Sequence, residues 1–463
     1  MALVTTFATT PLTSALYPPW YQKKIEAWKR GEIDWDTGAP IGRDGDSSTR
    51  TSITYEKVAS QRISKLLVYL RLDNMPTILS FMAMLGGNPT VTPKVHPSNG
   101  SPEGETSEQH KRPLQAHGVR LLELTERDSS VMKVTEIDEY ATHDPIVNTF
   151  RTFGSLHNLS ASGEVQVILE SSFADVLVAK ASDLSSDLLL LPWSETGSMS
   201  ESQPVTNDTV NNKLQHAAYS AFISSALDSA VPHVAVFVAR NFGGHSTKRI
   251  RPGLTRTVSA LSMRSAQAQA PAAPITDRSH HIFFPFFGGV DDRVALRLVL
   301  QMAENQDVTA TLVHFETPDN YYDAVTAGSP LTPTVSRFES KNETRAIVDA
   351  APGQRDAFFF QSLKSSLPTA LASRVVFNTV NTATPVKEAL ERAKEELGQN
   401  PKNAGDVFVV GRNAGKSAAF AKELVASKDE LSRSTLGVVA DAAVGSNVGA
   451  SVLVVRASKR GEQ

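Results

Sequence analysis

The stretch HHIFFPFFGGVDDRVALRLVLQMAE, residues 280–304, decides the fold class. Its first part is a mostly apolar run typical of a buried parallel strand, and it ends at Gly288 and Gly289. Apolar residues then recur at helical spacing, and the acidic pair Asp291 and Asp292 is suited to capping the free N–H groups of a helix start. Residues 280–304 therefore predict a strand that passes directly into a crossover helix.

A similar stretch, SKLLVYLRLDNMPTILSFMAML, occupies residues 64–85. Asp73 and Asn74 are predicted caps of its helix, and Pro76 suits a first helical turn. After each opening, apolar strand segments alternate with helical segments up to residues 239 and 455. The sequence predicts an α/β protein with two tandem Rossmann-like domains, each a roughly five-stranded parallel sheet with helices on both faces.

The composition excludes several classes of function. The chain has 463 residues, a net charge of -3, 41% hydrophobic residues and no cysteine. The charge gives no overall field for nucleic acid, and the lack of cysteine excludes disulfides, thiolate metal sites and a cysteine nucleophile. The chain also lacks HExxH and GxSxG patterns, and neighbouring His280 and His281 should point to opposite faces of a strand. We expect neither a metal site nor an enzyme.

The organisation along the chain has five parts. They are predicted as the end of a membrane helix with a juxtamembrane amphipathic segment at 1–35, a linker at 36–59, a first domain at 60–242, a basic disordered linker at 243–278 and a second domain at 279–457. Residues 1–16 carry no charge, and Trp20 is followed by basic residues with Trp28 and Trp35 close behind, as at a membrane interface. A helix packed on its own domain explains residues 1–35 equally well.

The linker at 243–278 has two interpretations. Its residues 243–276 contain five basic and no acidic side chains. A solvated tether is one interpretation, and docking to anionic lipid or to an acidic protein face is the other.

Several strings resemble one known family. They are DVFVVGRN at 406–413, LGVVADAAVGSNVGASVLVV at 436–455, HGVRLLELTERDSSVM at 117–132, FADVLVAKASDLSSDLLLLPWS at 173–194 and ALVTTFATTPL at 2–12. Together with the two openings, they resemble the C-terminal cytosolic tail of fungal potassium/proton antiporters, which are close to plant cation/proton exchangers. In that family the tail contains tandem universal-stress-protein-like domains. The resemblance covers residues from about 60 to about 457.

The resemblance implies a regulatory role at a membrane. The chain would be the cytosolic regulatory domain of a monovalent cation (K⁺ or Na⁺)/proton antiporter, and its partners would be the antiporter core of the same protein and a second copy in a homodimer. The expected place is the cytosolic face of an endomembrane such as the Golgi, an endosome or the vacuole, with a role in pH homeostasis and no nucleic-acid partner. The alternative is an adenine-nucleotide-binding stress-protein-like module, with slow hydrolysis as a further possibility.

The resemblance also implies a candidate nucleotide site in the second domain. Glycines after the fourth strand would let backbone N–H groups approach the phosphates of ATP or AMP, with acidic residues near the end of the first strand. Ala414 replaces one of the expected glycines, so a structural turn is the competing interpretation. The string GRNAGKS at 411–417 is one residue too short for a phosphate loop. The candidate residues are Gly289, Asp291, Asp292, Gly411, Arg412, Asn413, Lys416, Ser417 and Gly437.

The equivalent turn of the first domain has a different sequence. Pro192, Trp193 and Ser194 take the place of the glycine-containing loop, which disfavours phosphate binding there. We expect the Trp193 ring to pack in a core or an interface rather than to stack on a base.

Overall fold

The computed structural model describes residues 55–86, 113–124, 142–201, 214, 216–240, 242, 277–316, 352–400, 403–414, 430–446 and 448–459. The predicted membrane-end segment at 1–35 lies outside these residues, as does nearly all of the basic linker at 243–278. The predictions for those segments stay predictions. None of the helices in the described ranges is both long enough and apolar enough to cross a membrane.

The first half of the described chain alternates strands and helices. Its elements are α1 (Tyr55–Ser60), β1 (Lys65–Leu70), α2 (Met75–Gly86), β2 (Leu114–Glu123), α3 (Pro145–Leu156), β3 (Leu159–Ile168), a 3-10 turn (Glu170–Ser172), α4 (Phe173–Asp183), β4 (Leu188–Pro192), α5 (Ala217–Ser229) and β5 (His233–Val238). Helix α1 overlaps the last residues of the segment that we predicted as a linker, 36–59.

The second half repeats this alternation. Its elements are β6 (His280–Phe286), α6 (Val290–Ala303), β7 (Val308–Glu316), α7 (Pro352–Ser365), α8 (Thr369–Ala372), β8 (Val375–Asn381), α9 (Pro385–Glu396), β9 (Val407–Gly411), α10 (Glu430–Leu436), α11 (Val438–Gly445) and β10 (Ser451–Arg456). Both openings quoted above are strand-to-helix units, β1–α2 and β6–α6, as predicted.

The described strands form one ten-stranded sheet in the order β3-β2-β1-β4-β5-β10-β9-β6-β7-β8. All pairs within a half are parallel. The halves join where β5 and β10 pair antiparallel, from Val238 opposite Val452 to Val234 opposite Arg456. The predicted fold class is confirmed, with five parallel strands in each half. The structure adds that the two half-sheets share hydrogen bonds and form a single sheet.

Each face of the sheet carries its own hydrophobic core, because neighbouring strand residues point to opposite faces. Leu66, Val68 and Leu70 of β1 belong to a core formed with helices α2, α3, α6 and α7. Leu67 and Tyr69 belong to the opposite core, which includes α4, α5, α9 and α11. Both cores extend through both halves, so burial of apolar surface holds the halves together beyond the β5–β10 pairing.

The helix starts correct part of the sequence interpretation. Helix α6 has Gly289 at its N-cap position with φ +97°, and no side chain caps it. The cap prediction for Asp291 and Asp292 was therefore wrong, because both lie inside the first turn and accept hydrogen bonds from other segments. A side-chain cap does occur on α3, where the Asp144 carboxylate accepts from two backbone N–H groups.

Candidate functional site

The structure brings most of the predicted site residues together at one edge of the second half-sheet. Strands β6 and β9 are neighbours, so the chain after Phe286 and the chain after Val410 leave the sheet side by side. Gly289, Asp291 and Asp292 lie on the β6 side, and the remaining described residues of the prediction lie on the loop after β9 or at the start of α11. Lys416 and Ser417 lie outside the described residues.

Asp292 is fully buried and binds two backbone N–H groups. Its Oδ1 accepts from Gly411 N at 3.0 Å, and its Oδ2 accepts from Phe287 N at 2.8 Å. The pKa of the Asp292 carboxyl is raised to about 8, chiefly by burial; the two backbone N–H donors oppose the rise, and the negative charges of Asp291 and Asp356 add to it. No cation pairs with Asp292 among the described residues, so a proton is its available neutralising partner.

Asp291 connects three segments. Its Oδ2 accepts from the backbone N of Asn413 at 3.0 Å and from Asn413 Nδ2 at 2.7 Å. Its Oδ1 accepts from Ala457 N, just beyond β10, at 2.7 Å. Asp291 therefore ties the first turn of α6 to the ends of β9 and β10.

The side chains of Asp291 and Asp292 already accept hydrogen bonds from the backbone N–H groups that a phosphate would need. The prediction placed phosphate oxygens on backbone N–H groups of the loop after β9, and Gly411 and Asn413 supply those groups. In the structure they donate to Asp292 and Asp291. A phosphate on these donors would first have to displace the side chains of Asp291 and Asp292. The geometry thus supports a structural turn at this loop, and nucleotide binding stays a prediction.

Close packing explains two of the three site glycines, Gly411 and Gly437. A Cβ on Gly411 would lie 2.4 Å from Asp292 Oδ1, and a Cβ on Gly437 would lie 2.1 Å from the backbone oxygen of Arg412. Gly437 also has φ +92°, where side chains are strained. A carboxylate and a peptide carbonyl account for these glycines without a bound phosphate.

Arg412 points away from the carboxylates. Its Nε donates to Thr435 O at 3.1 Å, and its guanidinium forms an ion pair with Asp228 of α5 at 2.8 Å. Because α5 belongs to the first half, Arg412 links the halves rather than lining a crevice at β6 and β9.

A third carboxylate at this edge was missed by sequence reasoning. Asp356 of α7 accepts from Gly289 N at 2.9 Å and pairs with Arg293 at 2.6 Å. It also explains Gly288, whose Cβ would lie 2.5 Å from Asp356 Oδ2. Asp356 is distant in sequence from the β6–α6 opening, and a single acidic residue on an amphipathic helix carries no local signal of this role.

The corresponding edge of the first half is filled by an arginine. Arg71 follows β1, has no exposed surface and donates to Asp73 Oδ1 at 2.9 Å, to Met199 O at 3.0 Å and to Ser198 O at 3.0 Å. Its guanidinium also lies 5.2 Å from the centre of the Tyr219 ring. Asp73 was predicted as a helix cap, but its described bonds go to Arg71 and to the loop after β4.

A second arginine extends this network. Arg120 of β2 pairs with the buried Asp144 carboxylate and, at 2.9 Å, with Glu201. The loop after β4 is therefore held against β1 and β2 by buried ion pairs. Trp193 in that loop is 2% exposed and packs edge-on against Tyr219 at 5.4 Å, which confirms its prediction as a packed residue.

The histidine pair is used in ordinary hydrogen bonds. His280 Nδ1 lies 2.8 Å from Gly405 O, and His281 lies 2.8 Å from both Thr309 Oγ1 and Glu396 Oε1. Within the ranges that the structure describes, no group of three or more potential ligands is placed to hold a metal ion.

Comparison with known proteins gives two related matches. The chain is 22% identical to cation/H⁺ antiporter 18 of Arabidopsis thaliana over 436 residues, which covers 91% of this chain. It is also 22% identical to cation/H⁺ antiporter 17 of the same plant over 335 residues, or 69% of this chain.

The chain is similar to plant cation/proton antiporters. The matches span 42% and 32% of those relatives, so the chain corresponds to less than half of either. No protein-family model matches the chain.

Among solved structures, a universal stress protein from Archaeoglobus fulgidus aligns with 86% of this chain and 97% of its own, at a TM-score of 0.37 and 9% identity. A protein of unknown function from Pseudomonas aeruginosa aligns at a TM-score of 0.33 and 11% identity. The fold assignment above comes from the strand order and pairing of this chain itself.

Proposed function

We propose that this chain is a cytosolic regulatory domain of a monovalent cation/proton antiporter. The observation that carries the proposal is the similarity to antiporter 18, which extends over 91% of this chain. More than half of that relative lies outside the match. In this proposal the transport core is the part of the polypeptide that the present chain does not contain, and the chain acts on it from the cytosolic face of an endomembrane.

Regulation requires that the domain interact differently with two conformations of the transporter. A domain shifts such an equilibrium only by the difference between its binding free energies for the two states, typically about 1–3 kcal/mol. A rigid body with a mechanical attachment point is suited to this task. The continuous sheet and the two shared cores give the described part of this chain such a body.

The segment just before the sheet supports this proposal. Helix α1 and residues 61–63 lead into β1 of the first half, yet several of their hydrogen bonds reach Gln301 of α6 and Glu304 just beyond it, in the second half. Ile63 N donates to Gln301 Oε1 at 3.0 Å, Gln301 Nε2 donates back to Ile63 O at 2.9 Å, and Arg62 pairs with Glu304 at 2.9 Å. A displacement of this segment would therefore act on both halves together.

Homodimerisation is part of the proposal. Strands β5 and β10 pair with each other inside one chain, so neither offers a free edge. A second copy would use another surface, for which the outer strands β3 and β8 are candidates. Light scattering of the purified chain tests this point directly.

The deciding experiment uses the full-length natural polypeptide in proteoliposomes. Exchange is followed with a pH-sensitive dye inside the vesicles after addition of K⁺, Na⁺ or, as a control, a non-transported organic cation. We expect K⁺- or Na⁺-dependent proton movement, with a rate or pH dependence that changes when residues 55–459 are deleted. No exchange by the full-length protein would refute the antiporter assignment. Unchanged exchange after the deletion would refute the regulatory role.

The nucleotide alternative has its own test. Thermal unfolding of the purified chain is measured with ATP, ADP and AMP, because a ligand of the native state raises the melting temperature by mass action. Since Asp291 and Asp292 hold the loop donors, we expect no saturable shift. A saturable shift that Gly411→Val removes would favour the nucleotide-binding module instead.

A further inference from the structure

A cleft lies between the two halves, beneath the segment that precedes β1. It encloses a cavity of about 30 Å³. The polar residues that line it are Tyr55, Gln61, Arg62, His233, Arg297 and Gln301. Apolar side chains of α1 and α6, among them Val58, Val294 and Leu298, form the rest of the wall. The cleft is separate from the carboxylate cluster at β6 and β9.

Arg297 is the unusual member of this wall. It lies on α6, is only partly exposed, and its Nε atom is buried without a hydrogen-bond partner. No ion pair of Arg297 occurs among the described residues. A buried guanidinium normally has carboxylate or carbonyl acceptors, as Arg71 does in the first half. Arg297 therefore contributes to the cleft a guanidinium whose Nε has no acceptor and which no described carboxylate pairs with.

The acidic groups near the cleft already have other partners. Glu304 accepts from Tyr55 Oη at 3.0 Å and pairs with Arg62. Asp187 accepts from Ser64 and Lys65, and Asp291 accepts from Asn413 and Ala457. None of these carboxylates contacts Arg297, so the protein itself does not neutralise this charge in the described part of the chain.

His233 adds a second donor. Ser458 N donates to His233 Nδ1 at 2.8 Å, so that nitrogen carries no proton and the neutral ring carries its proton on Nε2. Burial lowers the pKa of His233, and the positive charges of Arg297 and Arg456 lower it further. Burial also lowers the pKa of Arg297, followed by the like charge of Arg293. The cleft therefore has an excess of positive charge and free N–H donors.

We propose that this cleft binds an oxyanion, a phosphate or carboxylate group of a small molecule, between Arg297 and His233. The guanidinium supplies paired N–H donors that match two oxygens of such a group. This proposal concerns binding alone and does not depend on the antiporter role. Either proposal can therefore be refuted while the other stands.

The test uses the purified full chain in a buffer without oxyanions. Isothermal titration calorimetry and thermal unfolding are measured with inorganic phosphate and with acetate, against sodium chloride at matched ionic strength. We expect a saturable heat and a rise in melting temperature with phosphate or acetate. Acetate and phosphate acting alike indicates a general oxyanion site, whereas phosphate alone indicates a phosphate site. An equal effect of chloride indicates screening and overturns the proposal.

Variants assign the effect to the cleft. Arg297→Met keeps most of the side-chain volume and removes the charge, so oxyanion binding should weaken at least tenfold. The control Arg392→Met removes an exposed arginine of α9 that pairs with Glu388, and it should leave binding unchanged. Without oxyanions, Arg297→Met should melt at the same temperature as the wild type or higher, because it removes an unpaired cation.

Two results would contradict the assignment. One is oxyanion binding by Arg297→Met that equals that of the wild type, and the other is the absence of a saturable effect of either anion on the wild type. If Arg297→Met fails to fold, His233→Ala decides, because it removes the second donor and leaves Arg297 in place. We expect binding to weaken several-fold in His233→Ala, and unchanged binding there refutes the proposal.

Discussion

The carboxyl edges of the two half-sheets occupy the same place in a repeated topology, yet side chains of opposite charge fill them. In the first half the Arg71 guanidinium holds the loop after β4. In the second half the carboxylates of Asp291 and Asp292 hold the loop after β9. The topology determines where the loops meet. The few residues that follow each first strand determine what lies between them.

The two edges also differ in how the buried charge is compensated. Arg71 has a carboxylate, carbonyl oxygens and an aromatic ring around it. Asp292 has two N–H donors and two further carboxylates nearby, Asp291 and Asp356, which raise its pKa. The Arg71 guanidinium of the first edge is therefore compensated by protein groups, whereas Asp292 of the second edge is neutralised in part by a proton at neutral pH.

The largest expected effect comes from removing the cation of the first edge. Arg71→Met leaves the Asp73 carboxylate, whose side chain is 4% exposed, without its cation. Loss of one partner of a buried ion pair costs about 3–5 kcal/mol. Urea unfolding should show this loss as a lower midpoint with an unchanged m-value.

The control for this prediction is a second substitution at the same pair. The double variant Arg71→Met, Asp73→Asn removes both charges and should recover part of the lost stability. A single variant that loses less than about 1 kcal/mol would mean that water reaches Asp73 and that the pair is not sealed.

A smaller effect is expected from filling the close contact of the second edge. Gly411→Ala places a methyl group 2.4 Å from Asp292 Oδ1, so the carboxylate or the loop must move. Such overpacking costs about 1–3 kcal/mol. Pro192, the last residue of β4, shows that the equivalent strand end of the first half accepts a side chain. Gly445→Ala is the matched control, since its Cβ would meet nothing within 4 Å and should be neutral or stabilising. Equal stability of the two variants would contradict the packing argument.

The third prediction concerns pH. The unfolded pKa of an aspartate is about 3.9, and that of Asp292 in the fold is about 8. When the pKa of a group is higher in the folded state than in the unfolded state, its protonated form stabilises the fold. This contribution is complete at a pH below the unfolded-state pKa, and it is lost as the pH rises through the folded-state pKa. Between pH 7 and pH 8 the wild type should therefore lose on the order of 1 kcal/mol of unfolding free energy.

Asp292→Asn removes the titrating group and should flatten this pH dependence. Burial lowers the pKa of His233, His280 and His314, but these histidines are present in both proteins, so the difference between the two slopes isolates Asp292. Asp292→Asn should also be less stable than the wild type at pH 7, since one of two backbone donors loses its acceptor. An identical slope in both proteins would show that Asp292 is ionised throughout.

The smallest effect on stability is expected from the Arg412–Asp228 ion pair, which links the halves outside the sheet. Asp228 is 63% exposed, so solvent screens its contact with Arg412. Asp228→Asn should cost less than about 1 kcal/mol, and the difference from the wild type should shrink between 0.05 and 0.5 M salt. A larger, salt-independent loss would show that the link between the halves depends on this pair rather than on β5, β10 and the shared cores.

The sequence predicted the repeated strand-to-helix openings because apolar periodicity is a local property. Most of the candidate site residues do meet, since β6 and β9 end side by side. The sequence did not predict the hydrogen-bonding partners of the residues at these edges, because Arg71 and Asp292 bond to loops more than 100 residues away in the chain. Hydrogen-bonding partners at that separation leave no periodic signal.

The sequence also contains a signal, not used in our prediction, that the two half-sheets join at β5 and β10. The strands HVAVFV of β5 and SVLVVR of β10 contain no proline, and their only arginine or lysine is Arg456 at the end of β10, so they have few of the features that protect an edge strand. Two such unprotected strands, each last in its half, indicate interior positions. Their pairing inside one chain satisfies both edges.

The position of β10 has a consequence for synthesis of the protein. The strand that leaves the ribosome last in this fold is the one that lies at the middle of the sheet, beside β5. In the nascent chain, the apolar edge of β5 therefore stays unpaired until residues 451–456 have been synthesised. This takes on the order of tens of seconds at ordinary elongation rates. During that interval the β5 edge of one nascent chain can pair with the β5 edge of another chain on the same message, so that the two chains exchange halves. A chaperone bound to β5 during translation would prevent this exchange.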